Sequence, residues 1–236
     1  MQKHITPRAS LISEYTFIAY FFIVSFFPFD ADIIKLLCLL TFIGCWVTKM
    51  LSEKKIRFVK TSLTIPILSF FLCSLIASLH SVRIRYSLGT IESDYLEYFT
   101  IFFCMVNTIQ GQEQIRRIVK AMLITCGLVC AYGLYGYYTG IAIRDERLVA
   151  TFEYHSRIAK YISLFLPIAV CLFFHYKNVL TRLYLVILTI VCSFSLILTM
   201  NRTSWVAVLV AMFFIGFAAQ KKLLLCIFVS VCALIA

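Results

Sequence analysis

Apolar residues in this chain come in long runs, at roughly 15–29, 33–48, 63–79, 95–109, 118–138, 158–174, 183–198, 205–219 and 223–236. Charged residues fall mostly in the short stretches between them. Each run is about long enough to cross, or nearly cross, a hydrocarbon core that needs roughly 20 residues of helix. The pattern predicts an all-α fold, a polytopic transmembrane helix bundle of about nine segments. The first run follows Lys3 and Arg8, ends at a turn predicted over Pro28-Phe29-Asp30, and has no small-residue cleavage site behind it. It reads as a spanning helix rather than a removable signal. The ninth run, Leu223 to Ala236, is shorter than a comfortable span and ends without a polar cap. It is expected to be incomplete, and the chain to be the N-terminal portion of something longer.

Composition agrees with this picture. Hydrophobic residues make up 62% and charged residues 14% of the 236, and the mean hydropathy is +0.94, which excludes an ordinary soluble domain. If the N-terminus, residues 1–14, lies on the inner side and the helices alternate, the inner connections hold 14 of the 22 basic residues and only Glu14, Glu53 and Glu113 among the acids. The outer side then holds eight of each sign. That is the bias expected of a protein with a cytoplasmic N-terminus. It accounts for the formal net charge of +11 without a nucleic-acid partner, and leaves membrane lipids as the expected surroundings. The outer loops proper contain only arginine as their base. Topology disfavours arginine there, so an acidic partner or an anionic ligand is needed to explain it.

Arg202 is the most informative of these arginines. It sits in Met200-Asn201-Arg202-Thr203-Ser204, between apolar runs too close together to carry its side chain far from the bilayer. A charge at the centre of a spanning helix costs about 2.5–3.5 kcal/mol on insertion scales and usually marks a pathway or a site. The planar guanidinium also suits paired hydrogen bonds to phosphate. Ser195, Thr199 and Arg202 are spaced to share one face if the seventh helix continues that far. The richest outer loop runs from Gly140 to Arg157 and contains Arg144, Asp145, Glu146, Arg147, Glu153 and His155. Arg144 and Arg147 either pair with those acids or, together with Arg157 and Arg202, close over a phosphorylated lipid at the outer mouth. Lys160, one turn into the sixth helix, either snorkels to the headgroups or lines a polar cavity. In the third-to-fourth outer connection, Arg83 and Arg85 have Glu92, Asp94 and Glu97 as neighbours. Gly133, Gly136 and Gly140 predict a small-residue packing face, with Tyr132, Tyr135, Tyr137 and Tyr138 as an interfacial belt. The ten cysteines nearly all lie inside apolar runs and include no Cys-x-x-Cys pair. They are expected to be packing residues, with no metal site, disulfide framework or cofactor.

Thr151-Phe152-x-x-His155-x-x-x-Ala159-x-Tyr161, followed by Leu166-Pro167, resembles the entry to the core of the O-antigen ligase and polymerase superfamily. Leu198-Thr199-x-x-Arg202-x-x-Trp205 resembles that family's signature around a conserved arginine. The likeness covers roughly residues 145–215. It makes 145–219 the start of the family-like core, after five helices within 15–144 and before a truncated ninth helix at 220–236. The resemblance implies a multi-pass protein of the bacterial inner membrane. Such a protein transfers or polymerises glycans carried on undecaprenyl diphosphate at the periplasmic face, without a nucleotide-sugar donor. It implies a diphosphate-lipid site containing Arg202, Arg147 and Arg157, with His155, Lys160 and Thr199 as lesser candidates. Asn201 and Thr203 depart from the serine and glycine usual around the arginine. His155 does not match the family's essential histidine, so no catalytic residue is assigned, and the chain alone is expected to be inactive. A transporter or flippase of an anionic or lipid-linked substrate is the competing reading, using the same arginines without bond breaking.

Overall fold

The computed structural model describes residues 5–27, 32–53, 61–81, 83–90, 96–109 and 111–218. The turn expected at Pro28–Asp30, the basic run 54–60, Glu92 and Asp94, and the ninth apolar segment lie outside the described residues. Among those described, the elements are α1 (Ile5–Phe26), α2 (Asp32–Glu53), α3 (Thr64–Leu79), α4 (Ile84–Thr90), α5 (Leu96–Thr108), α6 (Gln112–Thr139), β1 (Ile143–Arg144), β2 (Arg147–Leu148), α7 (His155–His175), α8 (Val179–Leu198) and α9 (Arg202–Ala218). The first eight apolar runs are each helical, and two elements were not expected. The Arg83–Arg85 connection leads directly into α4, and the Gly140–Arg157 loop contains a two-stranded hairpin.

Four helices are long and apolar enough to cross a membrane: Ile33–Leu51, Gln112–Thr139, His155–His175 and Val179–Leu198. The other apolar helices are shorter. At 1.5 Å per residue the 16 residues of α3 reach about 24 Å, and the 13 of α5 about 20 Å, against a core of about 30 Å. Leu36, Leu40, Leu68, Phe70, Leu180 and Ile190 are exposed along their helices. Outward-facing apolar side chains in this number suit lipid contact, because water would penalise them.

The chain divides into two compact units. One contains residues 1–21 and 31–119; the other contains 22–30 and 120–236. In the first, α2 packs on α5 around Phe42, which is fully buried and meets Phe17 and Tyr20 edge-on at 6.3 Å each. Its buried polar groups are tied in pairs. Tyr20 donates to Glu97 Oε1 at 2.7 Å, and Lys49 donates to the Asn107 carbonyl. Arg117 grips the fully buried Glu14 with Nε at 2.5 Å and Nη2 at 2.8 Å.

In the second unit α7 packs on both α8 and α9. The links Tyr176–Asn178 and Thr199–Asn201 have three residues each, too few for anything but antiparallel neighbours. Therefore α7 and α9 run parallel and begin at the same end. Asn178 caps α8 by accepting from Leu180 N at 3.0 Å, satisfying one of the amides that a helix start leaves open. The core of this unit is Leu148, Ile158, Ile162, Val129 and a group of cysteines.

Candidate functional site

Helix α6 ends at Thr139, with Gly140 in the left-handed region (φ +80°) and the Ile141 and Ala142 amides donating to the Gly136 carbonyl. The chain then folds straight back as the hairpin. Ile143 pairs with Leu148 and Arg144 with Arg147, leaving Asp145 and Glu146 as a two-residue turn with φ of 51° and 61°. Positive φ at both central positions is the geometry of a type I′ turn, which matches strand twist but favours Asn-Gly or Asp-Gly. Here acidic residues occupy it, and Glu146 carries the left-handed penalty of a side chain.

The hairpin is pressed onto α6 at the two helical glycines the sequence marked as a packing face. A Cβ on Gly136 would lie 2.4 Å from the Ala142 Cβ, and one on Gly133 would lie 2.7 Å from that of Ala150. Two of the glycines of the expected packing face therefore serve close approach of the hairpin segment. Downstream, Thr151 donates to the Ser25 carbonyl at 2.7 Å, and the Ser25 hydroxyl meets Tyr161 at 3.2 Å. Phe152 rests on Tyr161, with centroids 5.4 Å apart. The Thr-Phe segment is thus fixed at both side chains.

This platform brings three of the expected site residues together. An Arg147 guanidinium nitrogen donates to His155 Nε2 at 3.1 Å, which puts the imidazole proton on Nδ1. Arg144 and Arg157 both lie against the Tyr154 ring, at 5.0 and 5.6 Å from its centroid, within cation–π range. Arg144 also donates to the Glu153 carbonyl at 3.2 Å. Neither Arg144 nor Arg147 forms an ion pair with Asp145, Glu146 or Glu153, so the acid-pairing alternative is not what the fold adopts. The acids occupy or flank the turn and are exposed. The Arg144 and Arg147 guanidiniums are held by an aromatic ring, a histidine and a carbonyl, none of which neutralises them. Tyr154, at the start of α7, offers no side-chain cap, so the helix's first amides and its positive dipole end add to the same region.

The remaining candidates are arranged differently. Helix α8 does not continue to Arg202, as the shared-face expectation required. It ends at Leu198, Thr199 caps it, and Met200 turns left-handed (φ 53°), the position usually given to glycine. Thr199 is buried, and its hydroxyl donates to the Leu196 carbonyl at 2.6 Å, so it closes a helix and presents nothing outward. Asn201 accepts from Ser204 N at 3.3 Å, and Trp205 Nε1 donates to the Leu196 carbonyl at 3.1 Å. The motif around Arg202 is thereby a tight helix–helix corner whose other members bond internally. Arg202 itself, the first residue of α9, is exposed and makes no hydrogen bond or ion pair among the described residues. Lys160 is exposed on α7, as snorkelling requires. An apolar hollow of about 320 Å³ opens one turn below Arg202, lined by Leu166, Leu196, Ile197, Trp205, Val208 and Leu209.

Sequence reasoning missed a group on the facing sides of α6 and α8. The Sγ of Cys192 lies 3.8 Å from that of Cys126 and 3.8 Å from that of Cys130. The i, i+4 spacing of Cys126 and Cys130 was a visible signal that both share a face; the approach of Cys192 was not visible.

No family model, curated protein or solved structure matches this chain.

Proposed function

We propose that this chain supplies the donor-lipid grip, without the catalytic residues, of a membrane glycosyltransferase of the O-antigen ligase and polymerase type. It acts on undecaprenyl-diphosphate-linked glycans at the periplasmic face of the bacterial inner membrane, as a polytopic bundle with a cytoplasmic N-terminus. The observation that carries the reading is that Arg144, Arg147 and Arg202 have no carboxylate partner among the described residues. Arg144, Arg147 and Arg157 are gathered on Tyr154 and His155 at the start of α7, and Arg202 projects from the start of α9 at the same end. Like charges gathered in this way repel unless an anion sits among them, and paired N–H forks fit a diphosphate. The apolar hollow beneath Arg202 suits the hydrocarbon chain of such a lipid.

The alternating topology also has support within each unit. Glu14 meets Arg117, and Lys49 meets Asn107, all expected near the inner side. Thr151 meets Ser25, both expected near the outer. In the reaction, the arginines stabilise negative charge on the departing diphosphate, where preorganised donors act most strongly. His155 accepts from Arg147 and orients it.

The test is substitution at Arg202 in cells whose surface glycan depends on this gene. Arg202→Ala is expected to lower glycan product by about 100-fold, and Arg202→Lys by less, because the ammonium retains charge without the fork. Unchanged product in both variants overturns the reading. Unchanged product together with impaired transbilayer movement of the lipid-linked glycan in proteoliposomes favours the transporter.

A further inference from the structure

We propose that Cys126, Cys130 and Cys192 form a binding site for a single copper(I) ion in the interior of the second unit. One helical turn separates Cys126 from Cys130, so α6 presents both thiols on one face, and Cys192 of α8 stands opposite them. All three sulfurs lie within 4.8 Å of one another, and two of the separations are 3.8 Å. Metal–sulfur bonds of about 2.3 Å around one ion put its sulfurs about 4 Å apart, so the donors are preset at coordination spacing. The site is sealed: Cys126 and Cys130 are completely buried and Cys192 is 1% exposed.

A second observation points to the same place. Ser195, one turn beyond Cys192 on α8, is completely buried, and its hydroxyl finds no partner but the Cys130 thiol beside it. A buried hydroxyl whose neighbour is a thiol, a weak hydrogen-bonding group, is poorly satisfied, and that is a cost. Beside a bound cation it becomes an oriented dipole.

The donor set selects the ion. No carboxylate or imidazole belongs to the cluster, which disfavours hard cations such as calcium and magnesium. Thiolates favour soft ions, copper(I) and zinc foremost. Zinc closes its structural sites with four nitrogen or sulfur ligands, and only a neutral hydroxyl is present as a fourth donor. Coordination number decides between them: copper(I) is satisfied by two or three sulfurs, and the cluster supplies three. Copper(I) displaces one thiol proton: one S–H bond breaks, one S–Cu bond forms, and the proton leaves to solvent. Each further thiol that binds does so as thiolate, giving up its proton to solvent in the same way, and copper keeps its oxidation state. This inference is independent of the proposed glycan chemistry, because none of these residues belongs to the arginine set.

The test uses the full chain in detergent under anaerobic reducing conditions, with every cysteine outside the cluster replaced by alanine. Copper(I) is titrated against a chromophoric copper(I) chelator. The expected result is a single tightly held equivalent with a sulfur-only first shell in X-ray absorption. Cys192→Ser in that background should weaken retention by about 100-fold or more, since even outer partners of a metal ligand are worth 10–100-fold. If the alanine background does not fold, the same difference of a single equivalent between the native chain and Cys192→Ser gives the answer. No retained copper, retention indifferent to Cys192→Ser, or zinc(II) held as tightly as copper(I) each overturns the proposal.

Discussion

Glu14 with Arg117 in the first unit, and Arg144 with Arg147 in the second, hold guanidinium groups in opposite ways. Arg117 makes a two-pronged ion pair with a buried carboxylate. The hairpin arginines have three acids within ten residues and bond to none of their carboxylates, leaning instead on Tyr154, His155 and the Glu153 backbone carbonyl. A buried carboxylate without its partner is strongly destabilising, so the first arrangement answers a folding need. Cations held in place but left unneutralised answer no folding need. Under the function proposed above, they are the groups that would meet the anion. The difference between the regions is one between charge used for structure and charge held ready.

The largest expected effect comes from breaking the platform that keeps the hairpin arginines in place. Gly136→Ala forces a methyl group to within 2.4 Å of Ala142, and overpacking of that kind costs about 3 kcal/mol. Thermal unfolding in detergent should show it, and glycan assembly should fall along with it. An unshifted midpoint would mean that the hairpin is not seated on α6.

Next comes the contrast itself. Glu14→Gln should cost about 2 kcal/mol, the worth of a hydrogen bond to a charged group, with little specific effect on glycan chemistry once the folded fraction is equalised. Arg147→Gln should do the reverse, changing stability by no more than about 0.5 kcal/mol, as surface substitutions do, while product falls several-fold. If Arg147→Gln destabilises as much as Glu14→Gln, the distinction between the two regions collapses.

The smallest effect sharpens the comparison. Glu146 sits at φ 61° in the hairpin turn, so Glu146→Gly should stabilise the hairpin by about 1 kcal/mol. It also removes an acid near the arginines, and anion affinity should not fall. A loss of affinity would show that Glu146 neutralises or orients them after all.

Much of the helical layout was legible because apolar runs are long and contiguous. The run expected at 63–79 is α3 at Thr64–Leu79, and that at 183–198 ends where α8 ends. Other edges moved outward. Helix α1 begins at Ile5, ten residues before its apolar run, with Pro7 tolerated in its first turn. Helix α6 begins at Gln112 rather than 118, because Gln112, Glu113, Gln114, Arg116 and Arg117 are polar residues of good helix propensity. The hairpin was not legible. Asp145-Glu146 lacks the glycine or asparagine that advertises such a turn, and the hairpin exists because α6 offers a glycine face to receive it. Arg202 stood out from sequence as a charge between two apolar runs, but its place as the exposed first residue of α9 depends on Thr199, Met200 and Trp205 closing the corner around it.

By itself the sequence determined that this is a helical chain with apolar segments long enough for a membrane, and where its charges cluster. Those follow from composition and period, which need no knowledge of who touches whom. Only the tertiary structure decided that the hairpin arginines forgo their nearby acids, that Thr199 is spent inside a helix corner, and that Cys192 meets Cys126 and Cys130 across more than sixty residues of chain. Contacts of that kind depend on how helix faces pack against one another, and sequence separation carries no record of it.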